Sequence, residues 1–429
     1  MIDIRLIREN PGLVKENIRK KFQDKKLPLV DKVKKLDEDW KKLKYQEDEL
    51  RGNRNKISKK IAELKKQGKK AEKELKGAKD IPGKIAKLEN KRKKLEEEII
   101  NLQIEIPNIM SENVPSGKND SENVEMRKVG KPKKFDFDVK SHIEIMENFG
   151  MVDFESSARV AGNGFYYIED KVALLNMALI NFARDLMVSK GFRYVETPFL
   201  LREEIIDKVT DLSDKQQQIY LVDGEPKMAL IGTSEHSLIG RFAGQEINEK
   251  DLPIKQTSYS MCFRKEIGAH GIDEKGLFRT HQFNKIEMIV ICNPDVKESE
   301  KFFKEMQNIT VEIFEKLEIP VRVLKICSGD LGNLKYEQVD VEAWSPRKKD
   351  YFEIGSCSNL TGAQARKLGI FARVKGERVT PHTLNNTAIA TSRALVAILE
   401  NNQEKDGSIK VPKVLWKYTG FKEIKREKK

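Results

Sequence analysis

The sequence predicts an α+β protein: an antiparallel sheet with helices at its flanks, preceded by an N-terminal antiparallel α-helical coiled-coil arm. Three observations carry that expectation. Two heptad seams lie in the first quarter of the 429 residues, period-two runs joined by hairpin-length connections follow from about residue 139, and nearly all of the net positive charge falls in that same first quarter.

Residues 3–22 read as a short amphipathic helix interrupted near Pro11. Leu36, Leu43, Leu50, Ile57 and Leu64 then fall seven apart, and Ile81, Leu88, Leu95 and Leu102 repeat the spacing. The intervening "KKQGKKAEKELKGAKDIPGK" holds Gly68, Gly77, Pro82 and Gly83, which suits a reversal, so the seams predict two helices folding back on each other. A helix from Asp31 to Lys66 would be about 50 Å long at roughly 1.5 Å per residue, too long for a globular body to absorb. Residues 1–107 carry 32 Lys/Arg against 20 Asp/Glu, a net +12 of the chain's +13. A solubility effect would spread along the chain, whereas a polyanion-binding arm concentrates its charge. A dimerising coiled coil with solvated lysines is the bland alternative.

Residues 108–138 have the Pro, Gly, Ser and Asn content of a linker, and 139–429 are globular in composition. A helix is expected at 171–190, then a strand in "GFRYVETPFLL" (191–201) stopped by Pro198. Strand-like runs and helices alternate thereafter: "KMALIGTSE", "CFRKEIGAHGIDEKGLFRTHQFNKIEMIVI", a helix at 295–317, "VRVLKICSGDL", "QVDVEAWSP", "YFEIGSCSN" and "HTLNNTAIATSRALVAILENNQ". The regular beat of a doubly wound parallel sheet is missing. The run from Val172 to Ala183 is short for a bilayer and carries Asn176 and Asn181, so no membrane partner is expected. The amino terminus has charges of both signs and no apolar core of a leader, and Cys262, Cys292, Cys327 and Cys357 form no C-x-x-C pair. Reduced thiols and a cytoplasmic location are the expectation.

Chemistry-bearing residues cluster in the period-two runs. Arg264 and the strand after Arg279 can share a sheet face, where arginine forks phosphate or carboxylate oxygens. Phe283 offers an aromatic face to a planar base, and Glu287 lies four residues on, on the same side. Arg–Glu pairs on sheets are more often plain salt bridges. Thr233 and Glu235 in "GTSEH" are two apart and would face one way in an extended chain, suited to an ammonium group. Glu353 and Ser356 offer oxygens of the kind Mg²⁺ accepts when phosphates supply the rest. Arg393 falls near a helix start, where free N–H groups welcome phosphate. His270 and His281 have no partners at triad or metal-ligand spacing, and His281 reads as structural or binding. There is no G-x-x-x-x-G-K-[ST] loop, and "AGNGFYY" (161–167) is not a dinucleotide fingerprint, so a nucleotide would bind on the sheet.

Together these stretches resemble the class II aminoacyl-tRNA synthetases, and within them the seryl-tRNA synthetase family, over essentially the whole chain. "MIDIRLIRENPGLVKENIRKK" and the helical hairpin look like that family's tRNA-binding arm, and "GFRYVETPFLL" like motif 1, whose proline (Pro198 here) lies at the dimer interface. "FRKEIGAHGIDEKGLFRTHQFNKIE" is similar to motif 2 and "TLNNTAIATSRALVAILE" to motif 3. The resemblance implies a homodimer that adenylates L-serine with ATP and Mg²⁺ and transfers it to tRNA(Ser), with tRNA(Sec) left open. It further implies that Thr233, Ser234 and Glu235 hold the serine amino group, and that Glu287, Asn385 and Thr387 recognise the hydroxyl end. Arg264 would clamp the α-phosphate and the serine carboxylate, with Lys265 and Glu266 beside it and Glu266 near the adenine amine. Phe283 would stack on adenine, flanked by Thr280, His281 and Gln282. The stretch Glu353, Ile354, Gly355 and Ser356 would line the ATP site, with Glu353 and Ser356 anchoring the metal and Arg393 reaching the γ-phosphate. Arg264, Arg393 and Glu353 are thus the implied catalytic set.

Three departures stand out. Ser234 replaces the alanine of the usual T-A-E, Gly355 replaces the first serine of E-[IV]-S-S, and Asn385-Asn386-Thr387 replaces N-G-S, a wording closer to archaeal and eukaryotic members. The charged residues are all retained. Two rival readings remain at this level: a paralogue that loads a carrier other than tRNA, and a catalytically dead coiled-coil scaffold. The second sits poorly with the presence of both Arg264 and Arg393.

Overall fold

The first helical stretch breaks where its capping residues dictate. Asp3 accepts the Arg5 backbone N–H (2.9 Å) and opens α1 (Ile4–Glu9). Asn10 closes that helix and caps α2 (Pro11–Lys20) by accepting the Leu13 N–H (3.1 Å), with Pro11 in the first turn, where no N–H is required. The computed structural model describes residues 1–267 and 276–425, apart from the side chains of 212–214, and divides into two units, Met1–Ile109 and Met110–Lys429. Residues 268–275, with Gly268, His270 and Gly271 of the loop read above, lie outside the described residues.

In the first unit the leucine seams become α3 (Leu27–Lys66), 40 residues and about 60 Å long, and α5 (Ile81–Glu105). The reversal contains a helix the sequence reading did not anticipate, α4 (Glu72–Ala78). Cross-helix ion pairs fix the antiparallel register: Lys32 meets Glu98 at 2.8 Å and Arg92 meets Glu47 at 2.9 Å. Burial alone would raise the Glu47 pKa, but hydrogen bonds from Arg92 and Arg51 outweigh it and hold the carboxyl below its usual range. At the base, Ile2, Ile7, Val14, Ile18, Val30, Val33, Ile99 and Ile106 form a separate apolar core, with Trp40 and Leu102 packed on it.

The second unit is built on one eight-stranded sheet. Its strands are β1 (Val124–Val129), β2 (Arg193–Tyr194), β3 (Ile254–Phe263), β4 (Gln282–Cys292), β5 (Val321–Lys325), β6 (Glu337–Ser345), β7 (Asp350–Thr361) and β8 (His382–Ala390). They lie in the order β1-β5-β6-β7-β8-β4-β3-β2, antiparallel except for the parallel pair β2–β3. The alternation seen in sequence has a direct cause. Ile286, Met288 and Val290 of β4 and Val339 and Val341 of β6 pack into the main core with helices α6 (Asp170–Ser189), α8 (Val296–Lys316) and α10 (Thr391–Asn401), while the intervening residues face the other side. A second core, under the far end of that other side, joins Ile289 and Ile291 to α7 (Ser234–Gly240) and α9 (Ala363–Leu368).

Three sequence expectations need correction. Part of the stretch read as linker is β1, an edge strand paired with β5; its side chains, Val124 and Met126 included, are mostly exposed, so what holds it is the backbone pairing and not a buried face. The strand expected over 191–201 is only two residues long before Pro198, and a separate short strand, Leu200–Arg202, follows. The apolar run at Val172 belongs to a 20-residue helix, α6, that by length and composition alone could cross a membrane. Its Val172, Leu175, Leu179 and Phe182 are buried in the main core, which marks it as a core helix.

Candidate active site

The polar face of the sheet is assembled from residues that alternate with the core. In β4 these are Phe283, Lys285 and Glu287, which stand opposite Cys262, Ser260 and Ser258 of β3. In β8 they are Thr383, Asn385 and Thr387, with Glu287 opposite Thr387. Lys285 and Glu287 are nearly sealed from solvent, with 7% and 2% of their side chains exposed, and Nζ lies 2.5 Å from Oε2. Thr387 donates to the same oxygen at 3.4 Å.

Glu235 enters this face by a route other than the one expected. Residues 234–240 are helical, so Thr233 and Glu235 are brought together by capping and not by strand alternation: Thr233 is the N-cap and its hydroxyl accepts the Glu235 N–H at 3.2 Å. The Glu235 Oε1 accepts from Gln364 Nε2 (2.7 Å) and Asn385 Nδ2 (2.9 Å), and Gln364 is itself held by the Thr383 hydroxyl at 3.0 Å. Burial, and secondarily the charge of Glu287, push the Glu235 pKa up to about 7. Ser234 is fully buried and its hydroxyl donates to the Ser258 carbonyl (3.3 Å), which leaves only its main chain for a ligand.

Arg264 extends from the end of β3. Its Nε donates to the Gly232 carbonyl (3.1 Å), and its guanidinium carbon lies 5.3 Å from the centre of the Phe283 ring. Gly232 is gripped at its other end as well, since its N–H donates to His236 Nδ1 at 3.4 Å. Burial, and then the charge of Arg264, lower the His236 pKa to about 3, so that ring stays neutral. Arg279 pairs with Glu266 across the two flanks of the loop (3.2 Å), Lys265 lies over the Tyr220 ring, and the Thr280 hydroxyl donates to the Gln282 carbonyl at 3.0 Å. His281 Nδ1 is 2.9 Å from the Arg264 carbonyl, and Gly164, with φ of +82°, sits so close that a Cβ there would meet the His281 ring at 2.5 Å. Gly164 of "AGNGFYY" thus serves close packing against His281, just before β4. Gln282 falls on the parity of Asn284 and Ile286, away from Phe283.

Glu353 and Ser356 are three residues apart, which in a regular strand puts them on opposite faces. The register slips between them: Glu353 stands opposite Glu342, Gly355 opposite Val341 and Ser356 opposite Asp340, so Ile354 is an extra, bulged residue. Ile354 turns into the main core, and Glu353 and Ser356 share the polar face with Asp340. Gln338 bridges Asp340 Oδ1 (2.8 Å) and the Ser356 hydroxyl (2.9 Å). Burial would raise the Glu353 pKa, but Arg393, 3.2 Å away, holds it down; burial and the Glu353 charge raise that of Asp340. Arg393 also donates to the Glu353 carbonyl (2.8 Å) and lies over Phe278, and no side chain caps the start of its helix, α10. Ile354 and Gly355 can serve a ligand only through their main chain; a Cβ on Gly355 would come within 3.2 Å of the Thr387 carbonyl.

This face therefore presents buried carboxylates with hydroxyls beside them, an arginine over an aromatic ring, and an ionised carboxylate beside a second arginine. Residues 220–402 match the model of the class II tRNA synthetase core domain (G, H, P, S and T), and residues 1–110 that of the seryl-tRNA synthetase N-terminal domain. The chain is 42% identical over 422 residues to the serine–tRNA ligase of Methanocella arvoryzae, covering 97% of this chain and 98% of that protein. The chain belongs to the seryl-tRNA synthetase family. Another family member, from Pyrococcus abyssi, is 43% identical across 99% of this chain and 97% of its own. Two solved family structures share the fold end to end: the Pyrococcus horikoshii enzyme complexed with ATP (TM-score 0.91, 40% identity, all of both chains) and the Naegleria fowleri cytoplasmic enzyme in complex with AMP (TM-score 0.88, 33% identity, all of this chain and 99% of that one).

Lys285, Asp340, Gln338 and Gln364 of this polar face escaped the sequence reading. The first three had a signal. Lys285 lies between Phe283 and Glu287 at the same parity, and Gln338 and Asp340 alternate in "QVDVEAW". Gln364 reaches Glu235 across 129 residues, and nothing local announces it.

Proposed function

We propose that the polar face adenylates L-serine with ATP and then passes the seryl group to the 3′ end of tRNA(Ser). The observation that carries this reading is the pairing of two carboxylates, Glu235 and Glu287, each fixed by its own partners on adjacent elements, with Arg264 beside them. Glu235 and Thr233 take the serine ammonium, Glu287 and Thr387 the hydroxyl, and Asn385 keeps Glu235 in place. Arg264 holds the serine carboxylate against the α-phosphate, which converts a bimolecular attack into a positioned one. Phe283 stacks on adenine, with Glu266 facing its amine and Lys265, Thr280 and His281 around it. The solved relatives with ATP and AMP support a nucleotide on this face.

The carboxylate of serine attacks the α-phosphorus in line, pyrophosphate leaves, and a ribose hydroxyl of the tRNA end then displaces AMP from the seryl adenylate. Arg264 and Arg393 oppose the charge that grows on phosphate oxygens in the first step. Glu353 and Ser356 are the residues that would hold Mg²⁺. They fit it: Glu353 is kept ionised by Arg393 yet is 45% exposed, and the bulge at Ile354 puts the Ser356 hydroxyl on the same face. Such a pair suits a cation that takes its remaining oxygens from phosphates and water. When bound, it would add positive charge next to the phosphates.

ATP–pyrophosphate exchange without tRNA, offering each standard amino acid separately, tests the site. Exchange with serine alone is expected, and Glu287→Ala should raise alanine relative to serine by at least about 100-fold, because a site built around a hydroxyl otherwise rejects the analogue that lacks it. Exchange with no amino acid from a folded protein would favour the scaffold reading.

A pH dependence follows from Glu235. Its folded pKa is raised, so below about pH 7 the free site holds a proton that the serine ammonium must displace. The KM for serine should therefore rise about tenfold per unit as pH falls from 7 to 5.5, and Glu235→Gln should flatten that slope while weakening binding throughout. Parallel profiles for the two proteins would remove Glu235 from the ammonium site. The same sign makes Glu235 a stability cost that grows as pH rises from about 4.5 to 7.

We further propose a homodimer through α6 and Pro198. Leu174, Met177 and Val188 of α6 are each 51% exposed although the helix is otherwise core-packed, and Pro198 lies exposed at the end of the same connection. The basic arm is assigned to tRNA, and the four free, buried cysteines suit the cytoplasm.

A further inference from the structure

The reading of Glu287 as the acceptor for the serine hydroxyl leaves an electrostatic problem that Lys285 answers. Glu235 and Glu287 meet the same ligand from neighbouring positions: Asn385, which contacts Glu235, and Thr387, which contacts Glu287, are two residues apart on one face of β8, a span of about 7 Å. Two free carboxylates that close would each offer a seat to an ammonium group. The amino acid could then bind with its amine at either one, and the second carboxylate would be left buried and uncompensated.

We propose that Lys285 is a positioning residue that neutralises Glu287 and thereby reserves it for a neutral hydroxyl, so that the ammonium has one seat, Glu235. Three observations carry this. Lys285 Nζ lies 2.5 Å from Glu287 Oε2, both side chains are more than nine-tenths buried, and Thr387 donates to that same oxygen. Glu235 is held by two neutral amides, Gln364 and Asn385, so its partners leave its charge uncancelled. One carboxylate is thus paired with a cation and the other only with dipoles, and with Glu235 ionised these three side chains sum to a single negative charge, which matches one ammonium. Lys285 comes from β4 itself, two residues before Glu287, so the strand's alternation fixes the pair. The inference rests on the assignment of the hydroxyl to Glu287 and adds the group that makes the assignment selective.

The test is a double-mutant cycle on the full-length enzyme, read by ATP–pyrophosphate exchange with serine and with alanine. The proteins are wild type, Lys285→Met, Lys285→Arg, Glu287→Gln and Lys285→Met/Glu287→Gln. Lys285→Met should lower the serine-to-alanine ratio of kcat/KM by about 100-fold, chiefly through the serine KM, with the KM for ATP unchanged. Lys285→Arg should restore part of that loss. The double variant should be no worse than Glu287→Gln alone, since the lysine has nothing left to neutralise. Additive losses, or an unaltered ratio in Lys285→Met with a wild-type melting temperature, would overturn the proposal. If Glu287→Gln leaves the ratio unchanged, the hydroxyl assignment fails instead. Should Lys285→Met not fold, Lys285→Gln takes its place in the same cycle, with the same two outcomes.

Discussion

Arg264→Ala is expected to lower serine-dependent ATP–pyrophosphate exchange by about 10³-fold or more, with little change in melting temperature. The loss should be large because Arg264 is set before any ligand arrives. Its Nε is tied to the Gly232 carbonyl, Gly232 is tied in turn to the neutral His236 ring, and the guanidinium lies over Phe283. A cation fixed this way does not have to reorganise as charge develops on the α-phosphate. Arg264→Lys keeps the charge but loses the fork and the planar contact with Phe283, so it should recover only part of the activity, leaving a deficit of about 10- to 100-fold. The effect should fall on kcat as well as on the KM for both substrates, since one group serves both. Exchange within tenfold of wild type in Arg264→Ala would mean that another cation clamps the phosphate.

Shortening the arm should separate the two half-reactions. The leucine seams run from Leu36 to Leu102, but the cut must fall inside them, because Trp40, Ile99 and Leu102 belong to the apolar core at the arm's base. Removing residues 45–94 and closing the gap with a short glycine linker keeps that core and takes away 18 Lys/Arg against 8 Asp/Glu, a net +10. Serine-dependent exchange should stay within about twofold of wild type, while kcat/KM for tRNA charging should fall by about 100-fold or more. Charging by the intact enzyme should weaken steeply with added salt, as expected when several phosphates are neutralised, and the shortened enzyme should lose most of that slope. Normal charging after the cut would give the arm another purpose.

The residues of the polar face differ in how far they could be read from sequence. Arg264, Phe283 and Glu287 were legible because all three sit on one hairpin, where period-two alternation fixes the faces. Lys285 obeys the same rule and was passed over only because a lysine at a buried position is unexpected until its carboxylate is seen 2.5 Å away. Thr233 and Glu235 were picked out as a pair on the geometry of an extended chain, but the chain turns helical at Ser234 and a capping hydrogen bond joins them instead. Glu353 and Ser356 ought by alternation to have pointed apart, and only the bulge at Ile354 brings them together.

The sequence by itself determined what depends on near neighbours: the heptad seams of the arm, the strand periods, and which residues of a strand share a face. The tertiary structure alone decided what depends on register between distant strands and on packing across the sheet. The bulge between Glu353 and Ser356, the placement of β1 at the sheet edge, and the reach of Gln364 to Glu235 belong to this second kind. The physical reason is that a side chain's direction follows from its own backbone, whereas its partner is set by a pairing whose two halves lie up to two hundred residues apart.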